Sequence, residues 1–232
     1  MKSALFLFIA ATLITMPAPG QANEVFKYTP ISHATFVLQT GATTIYVDPV
    51  GEASNFSAFP PPDLILVTHI HKDHLAPALI DSLRQEQTAL IGPPTVIEQL
   101  SGGVVMNNGE TRTVAGLKIE AIPAYNTTVE RLNFHPQGRD NGYVIEKDGV
   151  RLYISGDTED IPEMRALQNI DIAFVCMNLP FTMTVEQAAS AVNEFKPQMV
   201  IPYHYRGKEG MSDLDRFEQL VKASKVERLP WY

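Results

Sequence analysis

The sequence predicts an α/β sandwich, in which two β-sheets pack face to face and helices cover their outer sides. Two observations support this fold class. Continuous apolar runs at residues 64–67 and 172–177 are typical of strands buried on both faces. Each half of the chain also carries strands followed by strand-helix units, an order that favours two sheets with outer helices. No linker or repeat separates the halves, so we expect one domain over residues 23–232.

The first half begins with a predicted strand pair and continues with alternating strands and helices. Strands are predicted at residues 31–40 and 43–48, with Gly41 at the hairpin tip. A strand at residues 63–69 precedes a helix at residues 77–87, in which apolar residues recur at helical spacing. Shorter elements complete this half: strands at residues 89–92, 104–106 and 118–123, and a helix at residues 95–100.

The second half has the same plan and stronger signals at the ends of its elements. Strands at residues 141–146 and 150–155 flank the turn signal Lys-Asp-Gly at residues 147–149. Thr184 and Gln187 form a capping-box pattern at the start of a helix. The other predicted elements are a short helix around residues 162–164, strands at residues 172–177 and 198–202, and a last helix that begins at Ser212.

Composition and charge exclude several classes of function. The chain has 232 residues, with 18 lysines and arginines against 26 aspartates and glutamates, and a formal charge of -8. Such a surface repels phosphate backbones, so we expect no nucleic-acid partner. The single cysteine, Cys176, excludes an internal disulfide framework and a thiolate zinc cluster. Its place in an apolar strand predicts an inert core residue.

The N-terminal segment has the pattern of a secretory leader. Lys2 precedes an apolar run at residues 4–15, and the small residues Gly20 and Ala22 follow a helix-breaking stretch. This pattern predicts a signal peptide over residues 1–22 that is removed on export. The apolar run is shorter than the ~20 residues that a membrane span needs. We therefore expect a periplasmic or secreted protein without a stable membrane anchor after cleavage.

Four candidate metal ligands lie close together, directly after a predicted buried strand. They are His69, His71, Asp73 and His74. Imidazole and carboxylate groups are ligands of zinc and its first-row neighbours, and four of them at this spacing can hold two ions. The alternative is a solvated loop that happens to be rich in histidine. Because crowded imidazoles serve little structural purpose, the pattern favours a metal centre.

This HxHxDH motif, followed by Asp157 in a Ser-Gly-Asp-Thr segment and by His204 after a late strand, resembles the metallo-β-lactamase-fold hydrolases. The resemblance covers nearly the whole mature chain and implies a four-layer αββα sandwich of the metallo-β-lactamase type, with a binuclear centre at the top of the sheets. Further segments look like the branch that contains ascorbate-phosphate lactonase and N-acyl-phosphatidylethanolamine phospholipase D. They lie at residues 32–36, 45–49, 121–126, 135–136, 181–183 and 201–205.

The resemblance also implies a cofactor and its ligands. The cofactor would be two divalent metal ions, with Zn²⁺ expected first and Mn²⁺ or Fe²⁺ as alternatives. The implied ligands are His69 and His71 for the first ion, Asp73, His74 and His204 for the second ion, and Asp157 for both.

The third histidine of the first site is where this sequence departs from the family pattern. The usual histidine is replaced by Tyr125-Asn126, and His135 lies a short loop further on. The first site is therefore completed by His135, or it is weak and bound through Asn126 or water. We favour His135 because borderline metals prefer imidazole to an amide oxygen.

The resemblance implies hydrolysis by a hydroxide held between the two metal ions, since bound metals lower the pKa of water to about 7. Asp73 would orient the hydroxide as well as bind metal. His33 or Tyr205 would protonate the leaving group. The alternative for His33 is a core histidine bonded to backbone, and this sequence does not separate the two roles.

Other residues are candidates for contacts around the centre. Asp48 is expected to contact the metal-binding histidines, with an ordinary Asp turn before Pro49 as the alternative. Arg206 is a candidate anchor for a phosphate or carboxylate, or else a surface charge. Tyr203 is a candidate for the pocket lining, and the loop at residues 56–62 for a wall or lid over the site.

The predicted function is an exported metal-dependent hydrolase that acts on a small-molecule ester, lactone, amide or phosphodiester. A true β-lactamase is disfavoured, because the resemblance places a bridging aspartate, here Asp157, in other branches of the fold. The alternative function is a metal-binding or sensing module without catalysis, which the irregular third histidine motivates.

Overall fold

The computed structural model describes residues 25–232, so the predicted leader at residues 1–22 lies outside the described residues. The first sheet has six strands in chain order, antiparallel from β1 to β3 and parallel from β3 to β6. Its strands are β1 (Lys27–Ser32), β2 (Thr35–Thr40), β3 (Thr43–Val47), β4 (Leu64–Leu66), β5 (Ala89–Gly92) and β6 (Val104–Val105).

The second sheet has seven strands in the order β15-β12-β11-β10-β9-β8-β7. The strands from β7 to β10 are antiparallel, and β10, β11, β12 and β15 are parallel. Its strands are β7 (Thr111–Val114), β8 (Leu117–Ala124), β9 (Asp140–Lys147), β10 (Val150–Ile154), β11 (Ile172–Cys176), β12 (Met199–Tyr203) and β15 (Lys225–Val226). The short strands β13 (Arg206–Gly207) and β14 (Gly210–Met211) form a separate hairpin.

The helices of the described region are short except for one. They are α1 (Pro77–Leu83), α2 (Pro94–Ile97), α3 (Pro162–Arg165), α4 (Val185–Phe195) and α5 (Leu214–Leu220), with 3-10 turns at Ala53–Phe56 and Val129–Arg131. None of the helices over residues 25–232 combines the length and apolar character that crossing a membrane requires.

The layers of the fold can be recognised from the cluster of buried apolar residues in which each face of a strand packs. In β3, Ile45 and Val47 belong to the core cluster that includes residues of both sheets. Tyr46, which points to the opposite face, joins a second cluster with Ile80 of α1. The second sheet is also covered on its outer side, since β11 is buried throughout and Val192 of α4 joins its core. The predicted α/β sandwich is confirmed.

Local signals in the sequence placed several elements correctly. Thr184 caps α4 with a capping box. Its hydroxyl accepts a hydrogen bond from the backbone N–H of Gln187, and its own backbone N–H donates to the Gln187 side chain. The turn between β9 and β10 has positive φ at Asp148 (50°) and Gly149 (79°), as a tight hairpin turn of this type requires.

Several of the described elements differ from the sequence-based expectations. The strand expected at residues 31–40 is two strands, because His33 takes a left-handed backbone conformation (φ 59°) and turns the chain. The last helix is capped by Asp213 instead of Ser212, whose hydroxyl donates to the carbonyl of Met177. β7 was missed because its side chains are mostly exposed and carry no apolar pattern.

Candidate metal centre

The candidate site residues follow the C-terminal ends of strands that run in the same direction. His69 to His74 follow β4, Asp157 follows β10 and His204 follows β12. His135 lies in the loop after β8, and His33 and Asp48 follow β1 and β3. Because parallel strands end at the same edge of a sheet, the fold brings these residues to one end of the sandwich.

The backbone near Asp157 has to pass very close to a neighbouring strand. Gly156 has a φ of 61°, and a Cβ atom there would lie 2.8 Å from the carbonyl oxygen of Asn141. Only glycine tolerates both the left-handed conformation and this approach. The Ser-Gly-Asp segment thereby places the Asp157 carboxylate inside the site.

The first ligand group consists of His69, His71 and His135. One ring nitrogen of each histidine lies within 4.8 Å of one ring nitrogen of the other two. His69 Nε2 is 3.1 Å from His71 Nδ1, so these two atoms face the same point. The sequence left His135 and Asn126 as candidates for the third ligand of the first site, and the structure places the His135 ring beside His69 and His71.

Asn126 lies beside this group and bonds elsewhere through its amide nitrogen, while its buried Oδ1 has no hydrogen-bond partner among the described residues. Its Nδ2 donates to the carbonyls of Arg131 (2.9 Å) and Phe181 (2.7 Å). Its backbone N–H donates to the carbonyl of His135 at 2.8 Å. Asn126 therefore closes the loop that carries His135.

The remaining ligand candidates gather around two carboxylates. The Asp157 Oδ1 atom lies 3.3 Å from His204 Nε2 and 3.5 Å from His74 Nε2, while its Oδ2 atom lies 3.4 Å from His135 Nε2. Asp73 Oδ2 lies 3.5 Å from His204 Nε2 and 3.9 Å from His74 Nε2. Asp157 thus stands between the first histidine group and the pair His74 and His204.

Asp48 contacts His74 directly and His69 through Thr68, and so fixes the orientation of both histidines. Its buried carboxylate accepts hydrogen bonds from the backbone and hydroxyl of Thr68, both at 2.7 Å, and from His74 Nδ1 at 2.7 Å. Because the Thr68 hydroxyl gives its hydrogen to Asp48, it accepts from His69 Nδ1 at 3.0 Å. Both histidines therefore direct an unprotonated Nε2 into the site.

Two supporting residues were missed by the sequence reasoning. The Asp140 carboxylate lies 3.1 Å from His135 Nδ1 and also accepts from Arg139 at 2.7 and 2.8 Å. The Asn178 amide lies 3.1 Å from His204 Nδ1. Neither residue belongs to a motif. The one signal in the sequence was a polar residue next to an apolar strand, since Asp140 begins β9 and Asn178 follows β11.

In the absence of metal, the pKa shifts favour the cation-binding forms of His69 and Asp157 and the protonated form of His204. Burial lowers the pKa of His69 well below its ordinary value, so this imidazole is neutral. Burial would raise the pKa of Asp157, but His204, His74 and His135 hold it well below the usual range. Burial opposes protonation of His204, yet the carboxylates of Asp157 and Asp73 raise its pKa to about 9 in the absence of metal.

The donor set fits a divalent metal ion. Asp157 Oδ1 and His135 Nε2 are buried, and neither has a hydrogen-bond partner among the described residues. Such orphaned acceptors are costly unless a cation satisfies them. The histidines and aspartates are therefore positioned to bind metal.

A cavity of about 280 Å³ opens onto this cluster. Its lining consists of His71, Asp73, Phe134, His135, Asp157, Asn178 and Phe181. Phe134 and Phe181 were not predicted from the sequence, which offered no pattern linking two partly exposed rings in different loops.

His33 joins the cluster and does not behave as an ordinary core histidine. Its Nε2 lies 3.3 Å from Asp73 Oδ2 and its Nδ1 lies 2.7 Å from the Tyr232 hydroxyl. Its ring centroid is 3.8 Å from that of His204. Burial lowers its pKa from the ordinary value, against the raising effect of Asp73.

Several residues expected at the pocket lie elsewhere. Tyr205 packs against Tyr232, and Arg206 lies over the Tyr232 ring at 4.7 Å, and neither is among the described residues that line the cavity. Tyr203 is fully buried in the core. The loop at residues 56–62 does not cover the site, because Phe56 packs on Tyr46 at the outer face of the first sheet.

The comparisons with known proteins agree with this geometry. Residues 28–204 match a family model described as the beta-lactamase superfamily domain. A UPF0173 metal-dependent hydrolase from Thermococcus onnurineus is 33% identical over 205 residues, which cover 82% of this chain and 90% of that protein.

Two solved structures show the same likeness. A protein from Parabacteroides distasonis described as a metal-dependent hydrolase has a TM-score of 0.81 and 42% identity, over 88% of this chain and 92% of that one. Igni18, a metallo hydrolase from Ignicoccus hospitalis, has a TM-score of 0.74 and 25% identity, over 88% of this chain and 94% of that one.

Proposed function

The chain belongs to the beta-lactamase superfamily and is a metal-dependent hydrolase, and from this premise we propose that it uses two divalent metal ions to hydrolyse a small ester, lactone, amide or phosphodiester. One observation carries the proposal. The two oxygens of Asp157 face different histidines, Oδ1 towards His74 and His204 and Oδ2 towards His135. A carboxylate in this position suits a bridge between two cations.

We assign the ligands by the distances between their donor atoms and by the family resemblance. Donor atoms also come together in two further groups, which are His33, Asp73 and His204, and His69, His74 and Asp157. His69, His71 and His135 would hold one ion, Asp73, His74 and His204 the other, and Asp157 both. Zn²⁺ is the first candidate because most of these ligands are imidazoles, whereas carboxylate-rich sites suit harder ions better. Mn²⁺ and Fe²⁺ are the alternatives.

When bound, the ions would polarise the scissile carbonyl or phosphoryl group and make water a better nucleophile at neutral pH. The protein supplies position. Asp73, whose side chain is 48% exposed, faces the cavity and can accept a hydrogen bond from a water held there. His33 does not line the cavity itself, but its Nε2 contacts Asp73, which does, so it can hold a proton next to that carboxylate. Tyr205, the other candidate acid, lies away from the cavity lining.

The test combines metal analysis with a substrate panel. The chain loaded with Zn²⁺ or Mn²⁺ is assayed on bis(4-nitrophenyl) phosphate, lactones, thioesters, N-acyl phospholipids and nitrocefin. We expect two equivalents of metal, turnover of at least one non-lactam substrate, and loss of activity in His69→Ala. One equivalent without turnover on any substrate would favour a metal-binding module, and rapid nitrocefin turnover would favour a β-lactamase.

We also propose that the protein is exported, on the pattern of residues 1–22 alone. The intact mass of the protein from an expressing cell, measured after cell fractionation, tests this. We expect a chain that begins at Asn23 in the periplasm or medium. A chain that retains residues 1–22 and stays in the cytoplasm would contradict export.

A further inference from the structure

The cavity next to the ligand cluster has two chemically different sides. One side consists of candidate metal ligands, among them Asp73 and Asp157. The other side is formed by Phe134 and Phe181, whose ring centroids lie 5.2 Å apart with an interplanar angle of 82°. Among the described residues that line the cavity, there is no lysine or arginine.

The guanidinium groups of the surrounding loops are committed to other partners. Arg131 pairs with the buried Glu159 at 2.6 Å and donates to the carbonyl of Thr182. Arg139 donates to the Asp140 carboxylate and to the carbonyl of Phe134. With Arg206 stacked on a tyrosine ring outside the cavity, these arginines do not offer an anion a charged partner.

The two loops that supply the aromatic rings also expose apolar side chains. Val129 and Leu132, in the loop of Phe134, are 77% and 42% exposed, and Leu179, two residues before Phe181, is 40% exposed. Asn126 ties the loops together, since its amide bonds both Arg131 and Phe181 carbonyls. The segments that carry the two rings are thus apolar at the protein surface as well as at the cavity wall, as expected of segments that receive an apolar group.

We propose that this cavity selects uncharged carboxylic esters or lactones whose aryl or alkyl group packs against Phe134 and Phe181. The inference rests on the proposed hydrolase function and narrows its substrate class. In the reaction, water adds its oxygen to the carbonyl carbon and the C–O bond breaks. The alcohol leaves with one proton, and the acid product releases the other. Phosphate monoesters and diesters are disfavoured because any charge that the two ions do not neutralise would meet an apolar wall without a cationic side chain.

The test compares substrates that share one chromophore. The metal-loaded mature chain is assayed on 4-nitrophenyl butyrate, bis(4-nitrophenyl) phosphate and 4-nitrophenyl phosphate, which carry no, one and two negative charges. We expect the highest kcat/KM for the butyrate. A higher kcat/KM for either phosphate would overturn the inference while leaving the hydrolase function intact.

Variants separate binding by the rings from catalysis. We expect Phe134→Ala and Phe181→Ala each to raise KM for the butyrate by roughly 10-fold with little change in kcat, which corresponds to about 1.4 kcal/mol of binding free energy for each ring. Phe181→Leu, which keeps an apolar side chain, should recover most of this loss. Phe59→Ala, which removes a ring from the distant surface groove near Tyr46, is the matched control and should leave KM unchanged.

A ligand without a cleavable bond decides the inference independently of turnover. We expect 4-nitrophenyl butyl ether to bind the metal-loaded chain and to lose about tenfold in affinity in Phe181→Ala, measured by calorimetry. Equal affinity for both proteins, or none for either, would overturn the apolar site. Ether binding without hydrolysis of any substrate would instead count against the proposed hydrolase function alone.

Discussion

Oδ2 of Asp48 lies 2.7 Å from Nδ1 of His74, and both side chains are completely buried. The carboxylate also holds Thr68 through two hydrogen bonds, so it has no freedom to turn away. An aspartate in this position keeps the hydrogen of His74 on Nδ1 and leaves Nε2 free to face Asp157 and His204. Asp48 thus sets the orientation of the His74 ring from the side that faces away from the candidate metal site.

Replacing Asp48 with asparagine should weaken metal binding by about 10- to 100-fold, as loss of such a partner does in other metal sites. The amide would present N–H groups to the Thr68 hydroxyl and to His74, so the imidazole would lose its preferred tautomer. Competition with a chromophoric chelator measures the effect. Asp63→Asn is the control, because Asp63 accepts a backbone N–H from Thr44 at the other end of β3. Unchanged affinity in Asp48→Asn would contradict the positioning role.

The third member of the first histidine group can be identified by counting metal. His135→Ala should retain about one equivalent of metal instead of two after dialysis, because His69 and His71 lose their third partner. Asn126→Ala should retain both, because all three histidines remain, although the loop loses the two hydrogen bonds of the Asn126 amide. Elemental analysis of the two variants is the measurement. The reverse result would return the ligand role to Asn126.

The pair of Glu159 and Arg131 should stabilise the loop that carries His135. Glu159 is fully buried and also accepts hydrogen bonds from Thr127 and Thr128. Glu159→Gln leaves a guanidinium without its charged partner, so we expect a loss of about 3 kcal/mol in the free energy of unfolding.

Urea unfolding of the metal-free protein checks this value. The control is Glu218→Gln, which breaks an exposed pair with Arg228 and should cost less than about 1 kcal/mol. Similar losses in both variants would show that burial adds nothing to the Glu159 pair.

Cys176 should be chemically inert in the folded protein. The side chain is buried in β11, and burial raises the pKa of its thiol to about 12. A group with this pKa is almost wholly protonated below pH 10, and the thiolate is the reactive form. We expect no reaction with a disulfide reagent at pH 8 and one equivalent after denaturation. Rapid reaction of the native protein would mean that β11 opens or that the thiol is accessible.

The structure brings together the four donors that the sequence singled out, because their spacing is local. His69, His71, Asp73 and His74 lie in one short segment, and a strand followed by a tight loop is enough to bring them together. The same applies to the start of α4, where the side chains of Thr184 and Gln187 each accept a hydrogen bond from the other residue's backbone N–H. Neither feature depends on distant parts of the chain.

The pocket lining was predicted less well, because the backbone breaks its regular course at the site. β12 ends at Tyr203, and His204 has a φ of 46°. Strand alternation therefore no longer predicts where Tyr205 and Arg206 point. The turn at His33 has the same effect after β1, where it brings the imidazole to Asp73.

The sequence by itself determined the fold class, the kind of metal donors and their order along the chain, since apolar periodicity and short-range spacing encode these features. Only the tertiary structure decided that His135 completes the first histidine group and that Phe134 meets Phe181. Both depend on the closure of one long loop, which Asn126 and Glu159 hold through bonds to distant segments. Such contacts join residues far apart in the chain, where local pattern carries no information about distance.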